Sequence, residues 1–215
     1  IMSGVLIKIG IFGILRMLLL IELNYTSMGI FILIISLISG LYGVMLAILQ
    51  HNLKKLLAYH SIENIGIIGI GIGLGCIGLG TDNTMLCVLG FGGAMLHTLN
   101  HSLFKSLLFY TAGNVYQDNH TLDIEKLGGL VKKMPQTTML FLIAALAICG
   151  LPPFNGFISE FMLYSGLFSS IQHANVASLI WIIFTILGLV LIGGLALMCF
   201  TKAFGVVFLG SPRHR

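Results

Sequence analysis

Charge is what this chain has least of. Only 8% of its 215 residues are Asp, Glu, Lys or Arg, where about 25% is usual. A soluble fold of this size needs a charged shell, and this composition cannot supply one. With 57% hydrophobic residues and a mean hydropathy of +1.04, the chain is expected to be an integral membrane protein. The formal charge of +4 does not point to nucleic acid, because the basic residues form no polar surface domain. Cysteine is equally sparse. Cys76, Cys87, Cys149 and Cys199 each stand alone in an apolar run, with no CxxC. That excludes a disulfide framework and suggests no metal site, leaving four small packing residues. No GxGxxG sits on a strand and no haem signature occurs, so no cofactor is expected in this chain. No signal peptide is visible, because Ile1 already lies inside an apolar run, and the chain is expected to be a fragment of a longer one.

What is present is long apolar sequence. A spanning helix needs about 20 apolar residues. The pattern predicts one membrane domain, 1–215, of six spans near Ile1–Leu20, Asn24–Gln50, Leu56–Gly80, Met85–Tyr116, Gln136–Phe168 and Asn175–Leu209. The fourth and fifth are too long for one straight crossing, so tilt, a break or interfacial ends are expected. In this layout Lys54, Lys55, Lys126, Lys132, Lys133, Lys202, Arg213 and Arg215 fall on one side and only Arg16 falls near the other. By the positive-inside rule the Lys-rich side is cytoplasmic.

Against that background a few groups are out of place. Lys8 lies in "GVLIKIGIFGIL", His97, His101 and Lys105 in "MLHTLNHSLFKSLLFY", and Glu160 in "NGFISEFML". An ionisable side chain at mid-membrane costs about 2.5–3.5 kcal/mol on insertion scales, so partners, water or a neutral state must compensate. His97, His101 and Lys105 follow each other at four-residue steps and form one slowly drifting stripe on a helix. Neutral His accepts and donates through its two nitrogens, and a poorly solvated Lys can lose and regain a proton. The stripe therefore suits relayed proton transfer, with Asn100 and Ser102 as nearby hydrogen-bonding groups. One buried His is commonly a packing residue; three aligned titratable groups are harder to explain that way. His at i and i+4 can share zinc, but no third ligand is evident. For Lys8 the alternative is snorkelling to an interface, and for Glu160 a structural ion pair.

The fifth span reads "AICGLPPFNGFISEF". Pro152, Pro153 and Gly156 interrupt it, and Pro152 and Pro153 are the only prolines inside a span; Pro135 and Pro212 lie at ends. Proline removes a backbone donor and clashes with the preceding turn, so a broken helix is expected around Leu151–Asn155. Such breaks are tolerated at depth only where protein or water satisfies the freed groups, and in transporters they mark the ion path. A further cluster, "LKKLLAYHSIENIG", sets His60 and Glu63 three residues apart near the start of the third span. They are candidates for cytoplasmic proton entry, expected to face a polar pocket, while Lys54, Lys55 and Tyr59 read as interfacial anchors.

Taken in order, "LKKLLAYHSIENIGII", "LHTLNHSLFKSLLF", "DIEKLGGLVKKMP" and "GLPPFNGFISEFML" resemble the antiporter-like proton-conducting subunits of complex I, the multi-subunit Na+/H+ antiporters and group 4 membrane-bound [NiFe] hydrogenases. "AYHSIENIG" is most similar to the hydrogenase-4 component B and formate hydrogenlyase subunit 3 branch. The resemblance implies an all-α, polytopic helix bundle forming the second half of an inverted-repeat fold, helices eight to thirteen. It implies a hydrated proton line from Lys8 through His97, His101 and Lys105 to Glu160. It also implies other membrane subunits as partners, with a peripheral redox arm on the cytoplasmic side carrying nickel–iron and iron–sulfur centres. The location implied is the cytoplasmic membrane. A Na+/H+ antiporter subunit and an inert scaffold are the competing readings, and the retained Lys8, Lys105 and Glu160 argue against the scaffold.

Overall fold

A computed structural model describes residues 2–21, 24–172, 174–211 and 213. Ile1, the expected start of the first span, and Pro212 and Arg215 lie outside the described residues. The described residues form helices and connecting turns, with one isolated bridge, Asn52 to Asp123. A π-helical turn, Met2–Leu6, runs into α1 (Ile7–Leu20). Then follow α2 (Tyr25–Ile48), α3 (Leu53–Gly80), α4 (Thr84–Asn119), the single turn α5 (Leu130–Lys133), α6 (Pro135–Ile148), α7 (Asn155–Ile171) and α8 (Val176–Phe204). A second π-helical turn, Gly205–Leu209, closes α8.

The local chemistry accounts for these boundaries. Asn24, Asn52, Asn83 and Asn175 each precede a helix, and each side-chain oxygen accepts a backbone N–H of the first turn. Asn52 accepts from Lys54 and Lys55, so α3 starts at Leu53, earlier than Leu56, and both lysines belong to its first turn. Pro135 opens α6 where its missing N–H is harmless. The long fourth span is one uninterrupted helix of 36 residues. At 1.5 Å per residue it is about 54 Å long, well beyond a hydrocarbon core of about 30 Å. Its excess is polar: Asn114, Gln117, Asp118 and Asn119 fill the last turns, and Asp118 pairs with Lys133 at 2.9 Å.

Four helical stretches are long and apolar enough to cross a membrane: Met2–Leu20, Tyr25–Ile48, Leu53–Gly80 and Val176–Leu209. α4 is too diluted by its polar stripe to join them, and α6 and α7 are each half-length. α3 is the central helix. In it 78% of the apolar window is buried, against 17% at Met2–Leu20, so α1 presents most of its surface outward. One core cluster, including Leu53, Leu122, Ile124, Phe141, Phe200 and Phe208, lies at the Lys-rich end of the bundle. The same end is tied by the backbone bonds Leu53 N–H to Leu122 C=O and Ile124 N–H to His51 C=O, and by Lys202 Nζ donating to Ile48 C=O.

Candidate functional site

The interrupted span comes first, because it sets where the other groups meet. α6 stops at Ile148 and α7 starts at Asn155. Between them Gly150 adopts φ +64°, in the left-handed region, and Phe154 N–H donates to Leu151 C=O. Pro152 and Pro153 lie in the gap and are exposed. Gly156 brings the first turn of α7 against the end of α6: a Cβ there would lie 1.9 Å from the Ala147 carbonyl oxygen. The Glu160 carboxylate folds back over the gap, where a Cβ on Gly150 would meet Glu160 Oε2 at 2.7 Å. Among the described residues Glu160 pairs with no cation. The gap is also clasped from α4. Asn100 Nδ2 donates to Asn155 C=O at 2.8 Å, and Asn155 Nδ2 returns a bond to Asn100 Oδ1 at 3.1 Å.

His97, His101 and Lys105 are all fully buried on α4. The partners of the two histidines come from other helices, not from the stripe itself. His101 Nδ1 lies 2.7 Å from Lys8 Nζ, which also donates to Ser3 C=O at 2.8 Å. Lys8 is thus half-buried and engaged with the stripe; it does not snorkel to an interface. His97 Nε2 lies 3.0 Å from Asn64 Oδ1 on α3, and its Nδ1 lies 2.8 Å from Ser159 Oγ on α7. Among the described residues Lys105 Nζ has no hydrogen-bond partner, and it sits 5.9 Å from the centre of the Phe109 ring. His101 Nε2 is likewise without a partner. Buried polar atoms left bare cost about 1–3 kcal/mol each, so such groups normally hold water.

His60 and Glu63 are bonded to each other through Nδ1 and Oε2. They do not stand at an open entrance as the sequence suggested: His60 is 0% and Glu63 1% exposed. Phe200 of α8 closes over the pair, its ring 4.6 Å from that of His60, and His60 Nε2 has no partner. Asn64 joins this pair to the stripe, because its Nδ2 donates to His60 C=O at 2.8 Å while its Oδ1 faces His97. Ser102 is not part of the network; it bonds Leu99 C=O of its own helix.

Two members of this constellation, Asn64 and Ser159, were not picked out from the sequence. Each adjoins a recognised carboxylate, Glu63 or Glu160, and is a polar residue in an apolar helix. That signal was available, but only the helix packing shows that both reach His97.

An all-helical membrane bundle with one broken helix, packed on a helix bearing a buried His–His–Lys stripe, is the architecture of an antiporter-like membrane subunit. The chain belongs to the family described as NADH:quinone oxidoreductase/Mrp antiporter, TM, whose profile matches residues 1–193. It is 44% identical to hydrogenase-4 component B of Escherichia coli over 216 residues, 99% of this chain and 32% of that protein. It is also 44% identical to formate hydrogenlyase subunit 3 of the same organism over 214 residues, 99% of this chain and 35% of that protein. It therefore spans about a third of the length of these curated relatives. A chain of the membrane-bound sulfane sulfur reductase, an archaeal respiratory membrane complex, superposes with a TM-score of 0.78 at 22% identity, covering 100% of this chain and 40% of that one. That likeness is one of fold.

Proposed function

We propose that this chain is part of a proton-translocating membrane subunit of an energy-converting respiratory complex, of the membrane-bound [NiFe] hydrogenase or formate hydrogenlyase kind. The observation that carries this reading is Lys105, fully buried, with an amine that no group among the described residues satisfies, on the same helix as His97 and His101. A lysine in such a place is far easier to retain as a carrier of a movable charge than as a packing residue. The contact between Lys8 and His101 extends the line to α1, and the two bonds of Asn100 with Asn155 hold the line beside the helix gap and Glu160. The similarity to hydrogenase-4 component B and formate hydrogenlyase subunit 3 supports placing it in a complex of that kind. In this reading the nickel–iron and iron–sulfur centres belong to partner subunits on the cytoplasmic side, and the membrane is the cytoplasmic membrane. The chain would supply the second half of an inverted-repeat subunit, with His60 and Glu63 on the cytoplasmic approach to the line.

Lys105 also supplies the test. Lys105→Ala removes the amine, whereas Lys105→Arg keeps the charge but resists deprotonation. Proton uptake by inside-out vesicles during turnover should fall to the uncoupled background in both, with the complex assembled on immunoblots. Normal uptake by an assembled Lys105→Arg complex sinks the proton-line reading. Sodium exchange in vesicles lacking the redox arm selects a Na+/H+ antiporter instead.

A further inference from the structure

His97 is the one stripe residue with both ring nitrogens engaged, and its two partners differ in what they permit. The Asn64 amide is held one way round, because its Nδ2 donates to His60 C=O at 2.8 Å. Its oxygen therefore faces His97, so Nε2 must carry a hydrogen and donate. An amide oxygen has no hydrogen to give back, so that side of the ring is locked. The other side is not. Ser159 Oγ lies 2.8 Å from His97 Nδ1 and 3.0 Å from Gly156 C=O, and it also accepts from Asn100 Nδ2 at 3.3 Å. A hydroxyl has one hydrogen and two acceptor sites. Two neighbours claim the one hydrogen: the ring nitrogen and the carbonyl.

We propose that Ser159 is a positioning residue that switches His97 between its singly and doubly protonated forms, with Asn64 as the fixed stop on the other nitrogen. In the neutral form the Ser159 O–H donates to Nδ1, and Oγ accepts from Asn100. To charge the ring, the Ser159 hydrogen passes to Nδ1, forming N–H and breaking O–H. Oγ takes a replacement from a solvated proton and donates it to Gly156 C=O, while accepting from both Nδ1–H and Asn100. Every donor and acceptor of the hydroxyl is then used, and the ring has gained one proton and one positive charge. The reverse sequence returns it. Protons thus reach His97 from the side of α7 and the helix gap, and the His60–Glu63 pair behind Asn64 passes none directly to Nε2, so it feeds the line at another member. The charged or imidazole groups buried or half-buried on the packed elements are Lys8 of α1, His60 and Glu63 of α3, His101 and Lys105 of α4, and Glu160 of α7, beside the weaker acids Tyr59 and Cys76 of α3, Cys87 of α4 and Tyr164 of α7; α6 contributes none.

The inference rests on the proton-translocation reading, and the test separates the two. Ser159 is replaced by Thr and by Val in the full complex. Both side chains have the same shape, so packing effects cancel and only the hydroxyl differs. Inside-out vesicles should take up protons during turnover with Ser159→Thr close to wild type, and with Ser159→Val at least several-fold below it. Equal uptake by assembled Thr and Val complexes overturns the switch; no uptake by the wild-type complex overturns the underlying reading. A second measurement needs no Ser159 variant to assemble. Infrared difference spectra of the wild-type complex, resting against turning over, with ring-15N-labelled histidine, should show an imidazole-to-imidazolium change that His97→Gln removes. A spectrum in which His97→Gln removes nothing also overturns the proposal.

Discussion

At the scale of single residues, the site works by leaving some groups unsatisfied and over-determining others. Lys105 Nζ, His101 Nε2 and His60 Nε2 lack partners, while the amides of Asn64, Asn100 and Asn155 are each committed to defined bonds. An amide held in fixed bonds is a poor proton relay, so under the proposed function these three would act as walls between groups that can relay. Gly150 is part of the same logic. Its φ of +64° disfavours any side chain, and a Cβ would press on the Glu160 carboxylate at 2.7 Å. Gly150→Ala should destabilise the subunit by about 1–2 kcal/mol from backbone strain alone, and it should displace Glu160. The expected outcome is a lowered thermal midpoint of the detergent-solubilised complex together with reduced proton uptake. An unchanged midpoint and full uptake would show that the backbone there is free to relax. Composition made the titratable groups legible, since each is an anomaly in apolar sequence. Their pairing was not legible. The four-residue spacing put His97, His101 and Lys105 on one stripe suited to a relay, but residues on one stripe lie about 6 Å apart along the axis, and here the two histidines turn to partners on other helices while Lys105 Nζ has none among the described residues. Which partner a residue meets depends on helix rotation, which spacing does not encode.

At the scale of elements, the packing is a matter of how closely backbones approach. α2 and α3 touch through glycine: a Cβ on Gly66 would lie 2.7 Å from the backbone of Gly40, and one on Gly43 would lie 2.7 Å from the backbone of Glu63. Small residues at a crossing let helices in a membrane gain close van der Waals contact, where no hydrophobic force draws them together. The Gly43 contact also sets the depth of the buried His60–Glu63 pair. Gly66→Val should therefore force α2 from α3 and prevent stable assembly, read as loss of the complex on native gels. Gly113→Ala is the matched control. It lies mid-helix in α4 with nothing within 4 Å of its would-be Cβ, so added helix propensity should leave assembly intact or raise the midpoint slightly. If both variants assemble equally well, close glycine contact is not what holds α2 to α3. The apolar helices and the break after Ile148 could be read from hydropathy and from Pro152 and Pro153. The start of α3 could not, because the Asn52 cap reaches back past the first apolar residue that hydropathy scores.

At the scale of the whole molecule, the distribution of charge gives a sense of direction. Lys54, Lys55, Lys126, Lys132, Lys133, Lys202 and Arg213 gather at the end of the bundle where α2 meets α3, α4 meets α6, and α8 terminates. Asp118, Asp123 and Glu125 at the same end bind several of them: Asp118 pairs with Lys133 at 2.9 Å, Asp123 with Lys126 at 3.8 Å and Glu125 with Arg213 at 3.6 Å. These pairs are exposed, and such pairs contribute little stability; an excess of lysine at one end instead fits the positive-inside rule, to which acidic residues contribute little. The opposite end carries Arg16 and Asp82, with Asp82 in the short turn between α3 and α4. If the Lys-rich end is cytoplasmic, a peripheral arm would dock there, over the segment from His120 to Gly129. A single cysteine introduced at Lys126 should then react with a membrane-impermeant maleimide only in inside-out vesicles, and one at Asp82 only in right-side-out vesicles or intact cells. Both positions are at exposed turns, so neither substitution disturbs the core. The native cysteines are buried or partly buried in the helices, which keeps the background low. Labelling of the Lys126 site from outside would invert the subunit. The redox arm would then have to dock on the Asp82 end, and the His60–Glu63 pair, which lies toward the Lys-rich end, would belong to the exit of the proton line and not to its entrance.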